Sequence, residues 1–273
     1  MYYCYHNGQF TPSAETQLNV MDLGVLRGYS LFDYFRTYNK IPFQWDAYWQ
    51  RFENSAKWLQ IPIPLAKEEV YNIVLQLVEK SNQPDIAIRL VLTGGNTLDG
   101  ISSSEPNFFV IAEKITAITE DEVQKGIKVL THEYVRDIPE IKTTDYKHLL
   151  YLQSELKKQN AKDVLFVKDG IISELSRSNV FVFKGNMLIT PKENILKGIT
   201  RKTILEIAQK QYEIVERNIT LEELLTADEV FTTSTTKKVL TISQIDNHIL
   251  SEGIGENTKQ LLSAFEKITQ TDC

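Results

Sequence analysis

Several things are scarce in this chain, and each scarcity narrows what it can be. Two cysteines occur in 273 residues, Cys4 and Cys273, one near each end and without metal-ligand spacing. That excludes a cysteine metal centre and points to a reducing, cytoplasmic setting, with a disulfide between the two left open. Nowhere do the roughly 20 apolar residues needed to span a bilayer run together. The opening MYYCYHNGQF has no charged leader followed by an apolar core, so it does not read as a signal peptide, and a soluble protein is expected. Positive charge is also short: 30 Lys and Arg against 36 Asp and Glu give a net charge of −6. There is no basic footprint for nucleic acid, and any phosphate site must be a local cluster. Internal repeats and low-complexity segments are absent. What remains is ordinary for a globular protein, 42% hydrophobic and 24% charged, and long enough for two modest domains or one large one.

Periodicity divides the chain. Tyr3-Cys4-Tyr5-His6, Asn7-Gly8 and Gln9-Phe10 read as a hairpin with a tight primed turn. A strand pair follows around Leu31 to Arg36 and Ile41 to Trp45. Asp46 is then placed to cap a helix through Trp49, Phe52, Ala56 and Leu59. A second helix is predicted over Lys67 to Ser81, and strands over Ile86 to Leu92 and Asn107 to Glu113. Ile115 to Gln124 is charged and lacks an apolar stripe, which suits a linker. It separates an N-terminal domain, 1–114, from a C-terminal one, 125–273. The second block opens with a strand at Ile127 to Val135 and a helix from about Asp145 to Gln159. A meander follows, with turns at Asp169-Gly170 and Gly185-Asn186. Helices at about Thr200 to Tyr212 and Leu221 to Leu225, a strand near Glu229 to Thr232 and a terminal helix from about Glu256 complete it. Mixed rather than regularly alternating elements favour an α+β class.

Three places carry chemistry. Lys142 precedes Thr143-Thr144-Asp145, a possible cap run, and a helix N-terminus beside an amine favours its neutral, nucleophilic form. Read alone, it is more readily a solvated lysine, one among 30 Lys and Arg, and Lys147 is a nearby rival. Glu174, on the strand Ile171 to Leu175, shares a face with Ile172 and Ser176 by alternation. If both faces are covered it needs a cationic or donor partner; on an exposed edge it needs none. Leu196 to Arg201 opens a helix, so free backbone N–H groups and a threonine hydroxyl are available to an anion, as in any capped helix start. Thr232 to Thr236 is a hydroxyl-rich turn, and Arg51 sits among Trp49, Phe52 and Trp58 with a guanidinium suited to phosphate.

An amine, a carboxylate and an anion cradle in that order are the parts a pyridoxal phosphate site needs. The segments that carry them, from Asn7-Gly8 through Arg27-Gly28-Tyr29 and Phe32-Asp33-Tyr34-Phe35-Arg36 to Phe231–Ile242, resemble the class IV aminotransferase family. These are the fold-type IV pyridoxal phosphate enzymes, which include branched-chain aminotransferases, D-amino acid aminotransferases and aminodeoxychorismate lyases. Most specific are Ser173-Glu174, Ser178-Asn179-Val180-Phe181, Thr190-Pro191, Leu196 to Arg201, and Ala227 to Phe231. The separation of Lys142 from Glu174, 32 residues (174 − 142), also fits the family and sets Lys147 aside.

The resemblance implies an α+β, two-domain fold like that of D-amino acid aminotransferase, with the active site between the domains and the cofactor lysine in the C-terminal one. It also implies a homodimer whose sites borrow residues across the interface. By that likeness Lys142 matches the lysine that carries the cofactor and moves protons in catalysis, and Glu174 the residue on the pyridine nitrogen. Arg51, Ile199, Thr200 and Thr235 match phosphate-binding positions. Phe32, Arg36, Arg89, Tyr146 and Thr236 are the candidates on the substrate side, and no metal is implied. Tyr34 stands where branched-chain members resemble Phe-Glu-Gly-x-Arg, and Ala87-Ile88-Arg89 where they resemble Tyr-x-Arg. Lys238 and Leu240-Thr241-Ile242 replace an acidic residue and Thr-Pro-Val. These departures leave cofactor binding intact and alter the substrate pocket. An amino-acid transaminase is therefore expected. A lyase of the aminodeoxychorismate type is the rival, because such lyases share the strand seen at Arg89 to Thr93. A cofactor-binding protein without turnover is the third possibility.

Overall fold

The computed structural model describes residues Met1–Thr271; Cys273, and with it any disulfide to the buried Cys4, lies outside the described residues. The chain forms two units. One comprises Met1–Thr116 and Ile141–Asp145, with the residues from Thr269 counted alongside; the other comprises Ala117–Glu140 and Tyr146–Ile268. No described helix is long and apolar enough to cross a membrane.

The first unit is built on a six-stranded sheet. Its chain runs β1 (Tyr3–His6), β2 (Gln9–Pro12), α1 (Leu23–Arg27), β3 (Ser30–Tyr38), β4 (Ile41–Pro42), α2 (Trp45–Trp58), α3 (Lys67–Ser81), β5 (Ala87–Thr93) and β6 (Phe108–Glu113). The strand order is β2-β1-β6-β5-β3-β4. Asn7 and Gly8 turn the first hairpin with φ of 49° and 78°, the left-handed pair that a primed turn requires. Side chains of β3 alternate sharply. Leu31, Asp33, Phe35 and Thr37 are fully buried, and Phe35 meets Trp45 and Tyr48 of α2. That face is the core, and the stripe Val70, Val74, Leu77 and Val78 of α3 is buried at helical spacing. The opposite face carries Ser30, Phe32, Tyr34 and Arg36, of which Tyr34 and Arg36 are only half-buried.

In the second unit, α4 (Glu120–Lys125), β7 (Ile127–Glu133), α5 (Lys147–Tyr151), α6 (Gln153–Lys158), β8 (Asp163–Lys168), β9 (Ile171–Leu175), β10 (Asn179–Lys184) and β11 (Met187–Thr190) come first. They are followed by α7 (Ile199–Ala208), β12 (Glu213–Glu216), β13 (Ile219–Thr220), α8 (Leu221–Leu225), β14 (Glu229–Ser234), β15 (Lys238–Ile245), β16 (His248–Ile249) and α9 (Glu256–Thr271). Their strands make one ten-stranded sheet in the order β12-β11-β10-β14-β15-β7-β8-β9-β13, with β16 on β15. β8 is buried on both faces, which is why it reads as an unbroken apolar run. Leu165 and Val167 join the main core, and Val164 and Phe166 pack with Leu149 and Leu156 of α5 and α6. Phe181 and Phe231 face each other across β10 and β14 with parallel rings 5.0 Å apart.

Four local expectations change. The stretch expected as a linker contains α4, whose cap Thr119 and third residue Glu122 hydrogen-bond each other's backbone N–H groups. Asp46 is not a cap: α2 begins at Trp45, after Gln44 in the left-handed region, so Asp46 lies in its first turn and pairs with Lys67 instead. The helix expected over Asp145 to Gln159 is two short helices, the first starting at Lys147 without a capping side chain. The Lys142 segment, assigned by sequence to the C-terminal domain, packs with the first unit because it pairs with β3.

α5 is tied to β7 by two histidine rings, His132 Nε2 and His148 Nδ1 lying 3.2 Å apart, with Tyr134 stacked on His148. Burial, and then the neighbouring His148, lower the pKa of His132. The unfolded chain therefore takes up this proton first as pH falls, and folding loses stability below the ordinary histidine range. The thermal midpoint should drop from about pH 8 to about pH 5.5, and drop less in His132→Gln. An equal drop in both proteins would exclude this ring as the cause.

Candidate active site

In the first unit, Lys142 is positioned by backbone pairing. Phe32 N donates to Lys142 O at 3.0 Å, Thr144 N donates to Ser30 O at 3.2 Å, and Leu31 bridges Thr143. Residues 142–144 thus add a short antiparallel edge beside β3, which sets Lys142 opposite Phe32 and Thr144 opposite Ser30. Side chains follow that register: Lys142 Nζ lies 4.5 Å from the centre of the Phe32 ring, and the Ser30 and Thr144 hydroxyls hydrogen-bond. The expected helix cap at Thr143-Thr144-Asp145 is absent here, so the lysine owes its place to a strand rather than to a helix terminus.

Arg89 faces Tyr34 across β3 and β5, and its guanidinium carbon lies 5.0 Å from the Tyr34 ring and 5.1 Å from the Phe32 ring. Lys142 and Arg89 therefore share one aromatic ring and lie within about 10 Å of each other. Arg89 is also forked onto Glu113, with Nη2 donating to Oε2 at 2.9 Å. Arg36, on the same face, lies 4.3 Å from the Tyr38 ring. Phe32, Arg36, Arg89 and Lys142 are thus brought to one face of the sheet. Arg51 is not: it reaches β3 from α2, on the core side, and donates to both oxygens of the fully buried Asp33 at 2.8 and 2.6 Å. Asp33 engages two of its five N–H donors and fixes its direction.

In the second unit Glu174 is 5% exposed. Alternation along β9 does not hold there, because Leu165 pairs with Leu175 while Val167 pairs with Ile172, so Ser173 and Glu174 oppose a single residue. Consequently Ile172 and Leu175, three apart, both enter the main core. Glu174 Oε1 accepts from Arg136 Nε at 2.7 Å, and Oε2 accepts from the Leu196 backbone N–H at 3.0 Å. Arg136 was not singled out in the sequence, where it sits in the loop after β7 with nothing local to mark it. Both carboxylate oxygens are thus engaged, one by a guanidinium and one by the backbone of the turn.

The backbone turn that Glu174 holds leads into α7. Gly198 caps that helix without a side-chain acceptor, which leaves the N–H groups of Ile199, Thr200 and Arg201 without an acceptor from the cap side chain. Asn179 clamps the same turn: its Nδ2 donates to Leu196 O at 2.8 Å, and a Cβ on residue 198 would collide with its Oδ1. The hydroxyl-rich stretch is divided by the structure. Thr232 and Thr233 are buried in β14, and Thr235 and Thr236 form the half-buried turn between Ser234 and Lys238. Tyr146 is the residue before α5 and packs on the smaller core of that unit. Lys147, the rival amine, is exposed.

The chain belongs to the class IV aminotransferase family, whose model (amino-transferase class IV) matches residues 30–245. A Methanocaldococcus jannaschii protein named as a branched-chain-amino-acid aminotransferase is 34% identical over 97% of this chain and 95% of its own. A D-alanine aminotransferase of Bacillus licheniformis is 28% identical over 95% of this chain and 94% of its own. An aminodeoxychorismate lyase of Bacillus subtilis is 28% identical over 96% and 93%. Among solved structures, a T.th. branched-chain amino acid aminotransferase with pyridoxamine 5'-phosphate matches with a TM-score of 0.89. It is 26% identical, over 98% of this chain and 93% of that one. The fold is accordingly that of the fold-type IV enzymes, α+β in two units.

Gly198→Ala tests the cradle at α7. The added methyl should drive Asn179 off the turn and cost about 1–3 kcal/mol of stability in urea unfolding. An unchanged midpoint would mean that the turn gives way freely.

Proposed function

We propose that this chain is a pyridoxal-phosphate-dependent aminotransferase that moves an amino group between an amino acid and a 2-oxo acid. Carrying most weight is the sharing of Phe32 by Lys142 and Arg89, which sets a nucleophilic amine and a carboxylate-binding cation within about 10 Å. The residues suit the cofactor. The turn at Gly198 has no room for a side chain and gives its helix no side-chain cap, as a phosphate cradle requires, and Glu174 is a buried carboxylate paired with Arg136.

When bound, pyridoxal phosphate supplies an electron sink for charge developing at the substrate's α-carbon. Lys142 would hold it through Nζ, and the same Nζ, once free, would take the proton from the substrate's α-carbon as general base and deliver it as general acid in the 1,3-proton shift. Glu174 would face the pyridine nitrogen and favour its protonated form. Ile199 and Thr200 donate to the phosphate with Thr235 and Arg51, the latter aimed by Asp33. Arg89 and Arg36 bind a substrate carboxylate, and Phe32, Tyr146 and Thr236 bound the substrate. The relatives named as branched-chain aminotransferases favour that substrate class, with a pocket altered at Tyr34 and Lys238. We further propose a homodimer, on the family likeness, and a cytoplasmic setting, on the two cysteines lying near the ends.

One second reading has specific support. The strand Arg89 to Thr93 resembles that of aminodeoxychorismate lyases, and the Bacillus subtilis relative carries that name. The purified protein should absorb near the visible edge, and Lys142→Ala should abolish the band. A mutant that retains it removes Lys142 from its role. Incubation with single L- and D-amino acids should convert the cofactor to its amine form for the true donor. Spectra unchanged across the whole panel, with pyruvate released from aminodeoxychorismate, would favour the lyase.

A further inference from the structure

Lys237 is the residue after the Thr235-Thr236 turn, yet its side chain is only 9% exposed. It does not follow its neighbours to the surface but enters the fold, where Nζ donates to Asp163 Oδ2 and, at 2.9 Å, to Ser178 Oγ. Asp163 is fully buried at the start of β8, and its other oxygen accepts from the Ser176 hydroxyl and the Val164 N–H. Burial alone would raise Asp163, but Lys237, with Arg177 beyond it, holds the carboxyl below its ordinary value.

The path continues past Ser178. Thr232 Oγ1 donates to Asn179 O at 2.8 Å and accepts from Ser178 Oγ at 2.7 Å. Asn179 in turn holds the Leu196–Gly198 turn at the head of α7. The two segments that the proposed function assigns to the phosphate, the Thr235 turn and the Gly198 turn, are therefore joined by one continuous polar chain with Lys237 at its end. The turn is fixed from its far side too: Lys238, in the left-handed region at φ 53°, donates to Glu266 at 2.7 Å, and Lys237 N donates to Ser234 Oγ at 3.1 Å. A free hairpin tip needs neither a buried ion pair nor a second lysine bridge to keep its shape.

We propose that Lys237 is a positioning residue for the phosphate of the cofactor: it locks the Thr235-Thr236 turn to the Ser178-Asn179 segment, so that both donor segments meet one anion at a set spacing. It acts through these segments and does not touch the reacting atoms. The proposal rests on the pyridoxal phosphate assignment above, and its test separates the two.

Full-length apoprotein is titrated with pyridoxal 5'-phosphate and, separately, with pyridoxal, which lacks only the phosphate, and the bound aldehyde is followed by absorbance. Inorganic phosphate serves as competitor. The unaltered protein should prefer the phosphorylated form and be competed by phosphate. Lys237→Met should lose about tenfold or more in affinity for pyridoxal 5'-phosphate, with pyridoxal affinity unchanged. The double variant Lys237→Met, Asp163→Asn should behave likewise. It carries no orphaned buried charge and serves if the single variant does not fold. Lys237→Arg, which keeps the cation, should recover part of the loss. Affinities for both ligands falling together, or neither falling, would overturn the positioning role. An unaltered protein that binds neither ligand, or does not distinguish them, would overturn the cofactor assignment and with it this proposal.

Discussion

Three residues of backbone pairing at the edge of β3 fix where the Lys142 amine lies. Lys142 to Thr144 are placed by hydrogen bonds to Ser30 and Phe32, by the bridge at Leu31, and by the Lys142 N–H donating to Ser55 Oγ of α2 at 3.4 Å. Register then dictates the rest. A slip of one residue would send Lys142 to the core face beside Asp33 and remove it from Phe32, Tyr34 and Arg89. The core beneath β3, with Leu31 and Phe35 fully buried against aromatic residues of α2, is what resists such a slip.

Three buried carboxylates are held in one way. Asp33 is matched by Arg51, Glu174 by Arg136 and Asp163 by Lys237, each carboxylate inside its unit and each cation reaching it from another element. Such pairs add little net stability, because desolvation offsets their attraction, but they are strongly directional. Each fixes a segment bearing on the proposed site: the α2 arginine, the turn ahead of α7, and the hydroxyl turn after β14.

Much of this was legible where the deciding physics is local. Asn7-Gly8, Asp169-Gly170 and Gly185 announce turns because positive φ is costly for most residues, and all adopt it. The α3 stripe announces a helix because its apolar spacing matches one face. The order from Lys142 through Glu174 to Gly198 was legible as a family resemblance, and the family match covers that whole stretch. What escaped was decided by partners distant in sequence. The pairing of 142–144 depends on a strand more than a hundred residues earlier, so Thr143-Thr144-Asp145 looked like a helix cap. The bulge at Ser173-Glu174 is set by β8 and broke a correct alternation rule. Arg136 and Lys237 carry no local mark of burial, and α1 and the short strands β12, β13 and β16 are too brief for periodicity to register.

The fork between Arg89 and Glu113 has a consequence for selectivity. Arg89 does not stand as a bare cation on its sheet face: its charge is already balanced, and its donors are already directed by a carboxylate of the same chain. In the proposed site, a ligand carboxylate arriving there would take part in a counter-ion exchange rather than a capture. Glu113 would then set the threshold that an incoming acid has to meet, a contest between two anions for one guanidinium.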